Sequence, residues 1–176
     1  MQLAITLLGN ADIDVIAEII LLNSTNPCRI IDLKSSIFAD ISCGYMLVEG
    51  NWNQLAKYES TFHAIEKKHG YKIHSARIEK VRQLQNVTPY AIEIIGLESS
   101  ELLSKVIVFF TDFQIEIEEV NARRYPAPYL DAQLMSARFV IALPQNISLF
   151  QLRDELMNLC DLLNADLLFE PFKINA

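Results

Sequence analysis

The sequence predicts an α+β fold made of two tandem β-α-β-β-α-β units with antiparallel sheets, and three observations lead there. The first is an internal repeat. Ala4-Ile5-Thr6-Leu7-Leu8-Gly9 lies over Ala91-Ile92-Glu93-Ile94-Ile95-Gly96 at an offset of 91 − 4 = 87, and the match continues without a gap. Under that offset Val15-Ile16 meets Leu102-Leu103, Ile19-Ile20 meets Val106-Ile107, Ile30 meets Ile117 and Asp32 meets Glu119. The second is that short β-prone runs and helix-spaced apolar positions follow one another in the same order in both halves. The third is composition: 176 residues, 51% hydrophobic and 21% charged, are too apolar for disorder and long enough for buried cores. The expected division is a first unit at 1–77, a structured linker at 78–87 and a second unit at 88–176.

In the first copy, residues 3–8 form a short apolar run ended by Gly9-Asn10, as a buried strand stopped by a turn. Asp12 or Asp14 can accept from the free N–H groups of a following helix, whose face is Val15, Ile16, Ile19, Ile20 and Leu22. Asn23-Ser24-Thr25-Asn26-Pro27 stops it. Residues 30–38 and 45–48 then pair as a hairpin across the connection 39–44. Gly50-Asn51 opens a helix carrying Leu55, Tyr58, Phe62 and Ile65, His69-Gly70 closes it, and residues 71–76 are the last strand.

The second copy repeats the order. Residues 90–95 are a strand, Ser99 or Ser100 caps a helix, and Leu102, Leu103, Val106, Ile107 and Phe110 form its face. Residues 114–120 alternate strictly, with Ile115 and Ile117 opposed to Glu116 and Glu118. Tyr125-Pro126-Ala127-Pro128 is expected to leave the sheet, because proline cannot serve a central ladder. Residues 134–143 return as a strand, Ser148 caps a helix bearing Leu149, Leu152, Leu156, Leu159 and Leu163, and residues 166–169 finish the unit. This order, with helices on one face of an antiparallel sheet, is the ferredoxin-like split β-α-β arrangement.

Charge excludes further classes. Fifteen basic against 22 acidic residues give −7, a field that repels nucleic-acid phosphates. The densest basic stretch, Lys67, Lys68, Lys72, Arg77, Lys80 and Arg82, is framed by no DNA-reading motif and reads as a solvated surface. Direct nucleic-acid binding is not expected. Cys28, Cys43 and Cys160 are odd in number and never spaced as a pair, so each reads as a small buried hydrophobe in a reducing compartment. The start of the chain shows no basic leader, and no apolar run reaches the ~20 residues of a membrane span. A cytoplasmic protein with no membrane partner is the expectation.

No matched nucleophile and base appear, and no glycine-rich nucleotide cradle. His63, His69 and His74 lack metal-ligand spacing, so neither metal nor cofactor is expected. Asp12 and Asp14 fit helix capping better than acid-base work. Arg123-Arg124 lies before the Pro-bearing connection flanked by Tyr125 and Tyr129, where exposed aromatics favour a partner surface.

A Gly-ended strand, a turn, an aliphatic helix and then Cys28-Arg29-Ile30-Ile31-Asp32 opening the second strand resemble the ACT domain, a small regulatory module that binds amino acids. Two such units over residues 2–172, the second with a long Pro-bearing connection, are similar to the glycine cleavage system transcriptional repressor family. The resemblance implies a non-enzymatic regulator that contacts a transcriptional activator and senses a small amino acid such as glycine. An amino-acid sensor or oligomerisation module unrelated to transcription is the alternative. It also implies homo-oligomers through sheet edges, and ligand contacts from Asn10, Ala11, Asp12, Ile13, Asp14 and Arg29 in one unit and Leu97, Glu98, Ser99 and Ser100 in the other. The family's turn reads Asp-Arg-Pro-Gly and an aliphatic residue; here Ala11-Asp12-Ile13-Asp14-Val15 and Glu98-Ser99-Ser100-Glu101 stand there, without proline or glycine.

Overall fold

Alternation along the first strand, β1 (Gln2–Asn10), sends Leu3, Ile5 and Leu7 into a core and leaves Thr6 and Leu8 outside. The computed structural model describes residues 1–11, 15–25, 28–79, 86–99, 101–128 and 131–171, apart from the side chains of 15 and 22–25. After β1 come α1 (Val15–Thr25), β2 (Arg29–Phe38), β3 (Ile41–Glu49), α2 (Trp52–His69) and β4 (Lys72–Ile78). All neighbours in the sheet β2-β3-β1-β4 are antiparallel. Helix α2 has well-defined ends: the Asn51 side chain accepts from Gln54 N while the Gln54 side chain accepts from Asn51 N, and Gly70 closes it at φ 71°. Its Leu55, Tyr58, Phe62 and Ile65 pack with Ile19 and the inward residues of β1 and β3. The hairpin is tighter than expected. β3 begins at Ile41, and Ala39 takes a left-handed φ of 53°, so Ala39-Asp40 makes the whole turn. Asp40 is turn-prone but Ala39 is not, so the sequence marks no two-residue turn and a longer connection was expected.

The second unit runs β5 (Val87–Leu97), α3 (Leu102–Asp112), β6 (Glu116–Pro126), β7 (Gln133–Pro144), α4 (Leu149–Leu162) and β8 (Ala165–Pro171). Its sheet order is β6-β7-β5-β8, again antiparallel. Phe110 and Phe139 meet edge to face at 5.6 Å in a core that also buries Ile92, Ile94, Leu102, Val106, Leu152 and Leu156. The expectation that Tyr125-Pro126 leaves the sheet is corrected: Tyr125 pairs with Leu134 and Pro126 with Gln133. β6 is an edge strand, so an N–H missing there leaves no central ladder bond unmade.

The repeat is structural as well as sequential. α1 and α3 have the same length and start 102 − 15 = 87 residues apart. Each second strand carries a β-bulge, between Ile30 and Asp32 in β2 and between Ile117 and Glu119 in β6, again 87 apart. The offset fails only after that. Gly9 pairs with Ser42 at a separation of 42 − 9 = 33, Gly96 with Met135 at 135 − 96 = 39, and the extra residues sit in the Pro-bearing connection. The two compact units divide at Met1–Arg82 and Gln83–Ala176. Of the expected linker, residues 80–85 lie outside the described residues.

Candidate functional site

In the first unit, Gly9 lets the chain pass beneath an aromatic ring: a Cβ there would lie 2.4 Å from Tyr71 Cδ2. The Tyr71 hydroxyl donates to the Asn10 carbonyl at 2.8 Å, and Ala11 N donates to Asp40 O at 2.8 Å, tying the start of the turn to the β2–β3 hairpin. Asp12, Ile13 and Asp14 lie outside the described residues. Arg29 is not brought to this turn. It shares the Glu49 row with Gln2, whereas Asn10 sits opposite Ile41 at the other end of β3, about 27 Å away at ~3.4 Å per residue.

The second unit makes the same tie, Glu98 N to Gln133 O at 2.8 Å, at the position equivalent to Ala11. Ser99 Oγ accepts from Leu102 N at 3.1 Å and so satisfies the first N–H of α3, although Glu101 stands at the cap position; Ser100 lies outside the described residues. Leu97 is exposed at the end of β5. Glu98 accepts from Arg124 Nη1 at 2.8 Å. The sequence separated these two, assigning Glu98 to a ligand turn and Arg124 to a partner surface; the structure brings them together. Arg124 faces Met135, the β7 partner of Gly96, so it stands level with the turn. Only the pairing register carries this information, because residues 98 and 124 lie far apart in sequence. A guanidinium and a carboxylate side by side can exchange partners with a zwitterion, the carboxylate of an α-amino acid replacing Glu98 on Arg124 and its ammonium taking Glu98.

The other candidates resolve individually. Arg123 is exposed, Tyr125 half-buried, and Tyr129 lies outside the described residues. In the basic stretch, Lys68 reaches Glu18 at 3.1 Å and Arg77 reaches Glu59 at 2.6 Å, with its guanidinium 5.1 Å from the Trp52 ring; Lys80 and Arg82 lie outside the described residues. Tyr58 is core: its hydroxyl donates to Ile19 O at 2.7 Å, and burial pushes its pKa up to about 12. The cysteines are free, Cys28 and Cys160 buried and Cys43 only half-buried, against the expectation of three buried thiols. Burial, aided by the Asp161 charge, pushes the Cys160 thiol up to about 11, an inert value. Among the described residues no group of three His, Cys, Asp or Glu could hold a metal ion, and no helix is long and apolar enough to cross a membrane.

The fold defines the class: two tandem ferredoxin-like β-α-β-β-α-β units in one chain. No protein-family model matches the chain, and no curated protein matches its sequence. Among solved structures the chain is similar to a presumed glycine cleavage system transcriptional repressor, at a TM-score of 0.70 and 20% identity, over 98% of this chain and 97% of that one. It is also similar to an unknown protein from Galdieria sulphuraria, at a TM-score of 0.74 and 15% identity, over 98% of each chain. The resemblance read from the sequence is therefore matched by the architecture of both units from end to end.

Proposed function

We propose that the chain is a non-enzymatic regulator that responds to a small amino acid such as glycine and acts on transcription by contacting an activator protein rather than by gripping DNA. The observation that carries this reading is the end-to-end tandem likeness to the presumed glycine cleavage repressor, which spans both units and not a single ACT-type module. The charge of −7 supports the indirect route, since phosphate binding draws on clustered Lys and Arg, and Lys68 and Arg77 are held in ion pairs. Gel retardation of glycine cleavage promoter DNA tests it. The chain alone leaves the DNA unshifted and changes the shift only when the activator is present; tight sequence-specific retardation by the purified chain alone sinks the reading.

A second reading, an amino-acid sensor without a tie to transcription, is favoured by the Glu98–Arg124 pair at the turn. Calorimetry of the full chain with glycine, serine and branched amino acids separates the two. Heat with one of them, lost in Arg124→Ala, together with no effect on the activator's shift, selects the sensor.

A further inference from the structure

The two helical layers differ at one equivalent position. Glu18 on α1 binds across to α2, its Oε1 3.1 Å from Lys68 Nζ and its Oε2 2.6 Å from His69 Nε2. The residue 87 positions later is Lys105, which turns back along its own helix to Glu101 at 2.6 Å. No such bridge from Lys105 spans α3 and α4, and between them lies an apolar groove of about 350 Å³ lined by Ser104, Lys105, Val108, Phe109, Asp112 and Leu159. Val108 is 56% exposed there. Charge is also unevenly divided. Residues 1–82 hold nine acidic and nine basic side chains, whereas residues 83–176 hold 13 and six, a difference of 13 − 6 = 7 that accounts for the whole net charge. Within the helices, α1 and α2 balance three against three, while α3 and α4 carry Asp112, Asp154, Glu155 and Asp161 against Lys105 and Arg153, with Glu101 at the α3 cap.

We propose that the α3–α4 groove is the protein-contact surface of this chain and that its occupant is a basic amphipathic helix of a partner. An apolar floor between two helices suits a third helix presenting residues at i, i+3, i+4 and i+7, and the net −7 of residues 83–176 favours Lys and Arg beside that stripe. The proposal names the partner chemistry for the regulatory reading above, yet its test does not depend on any operon.

Helical peptides with a fixed leucine stripe and randomised flanks are displayed and selected on the full chain, with Val108→Glu as counter-selection. Enriched clones carry Lys and Arg, bind the unaltered chain about tenfold more tightly than Val108→Glu, and weaken with added salt. Leu21→Glu, the equivalent site on α1, leaves binding unchanged, and Lys105→Gln, which removes a positive charge from the groove wall, tightens it. Three results overturn the proposal: no enrichment over Val108→Glu, enrichment of acidic or neutral flanks, or self-association in sedimentation that Val108→Glu abolishes, which makes the occupant a second copy. Circular dichroism establishes that each variant is folded. Failure here with an intact promoter result removes the groove and keeps the regulator; the reverse outcome removes the regulator and keeps the groove.

Discussion

At the end of β1, Gly9 lies under the ring of Tyr71, whereas the equivalent Gly96 at the end of β5 lies against Ala165. Further along, Ile37 is exposed near the tip of β2 where β6 places Arg124. Glu18 bridges two helices where Lys105 bridges a single turn. Yet the bulge, the length of the first helix and the hydrogen bond from turn to hairpin are the same in both. What the units share is what the backbone needs; what separates them is side-chain chemistry at positions the backbone leaves open. Arg124 gives the second unit a cation level with its turn, where the first unit has Ile37.

The largest test of this contrast is a glycine swap. In Gly9→Ala the new methyl falls 2.4 Å from a fully buried ring, so the first unit loses on the order of 3 kcal/mol; in Gly96→Ala the contact is 2.9 Å to the Ala165 methyl and the loss is nearer ~1 kcal/mol. Trp52, the single tryptophan, reports urea unfolding of the first unit, and far-UV circular dichroism, which follows both units, reads the loss in the second. Equal losses in the two variants would break the contrast. Next comes Tyr58→Phe, which removes the 2.7 Å bond to Ile19 O and lowers the first unit's stability by about 1 kcal/mol in the same assay; an unchanged midpoint shows that α1 is held by packing only.

Acid gives a smaller effect. The hydrogen bond from Lys68 holds the Glu18 carboxyl below its usual value of 4.5, reinforced by the charges of Lys68 and His69 and opposed by partial burial. A depressed folded pKa means that this contribution is full above 4.5 and disappears as pH falls through the folded value. For a pair this exposed it is under ~1 kcal/mol. Glu18→Gln should flatten that part of the pH dependence of Trp52 unfolding, and an unaltered slope places the acid sensitivity elsewhere. Smallest is Arg124→Ala: it changes stability by less than ~0.5 kcal/mol, because its pair with Glu98 is on the surface, while removing any amino-acid heat. A large loss of stability instead makes Arg124 a structural clamp.

Much of the fold was legible because the decisive signals were local and duplicated. Asn51, Gly70, Ser99 and Ser148 marked helix ends that the structure confirms by hydrogen bond or by φ. Edge position was not legible, since it depends on strand order, and it is what allows Tyr125-Pro126 to remain in β6. The site was legible in part. The family resemblance pointed to the two turns but grouped the first with Arg29, which the register places at the far end of the sheet. The meeting of Glu98 and Arg124 comes from pairing across β7, over a separation that no local pattern encodes.

The bulges near the start of β2 and β6 also limit how these proteins can meet one another. An extra residue twists an edge strand and breaks its row of free N–H and C=O groups, so a neighbouring strand cannot extend the sheet over its whole length. In β2 the regular part begins at Asp32, and in β6 at Glu119, each with an acidic side chain at its threshold. Growth along these two edges is thereby confined to the stretch beyond the bulge, while the opposite edges, β4 and β8, carry no such interruption.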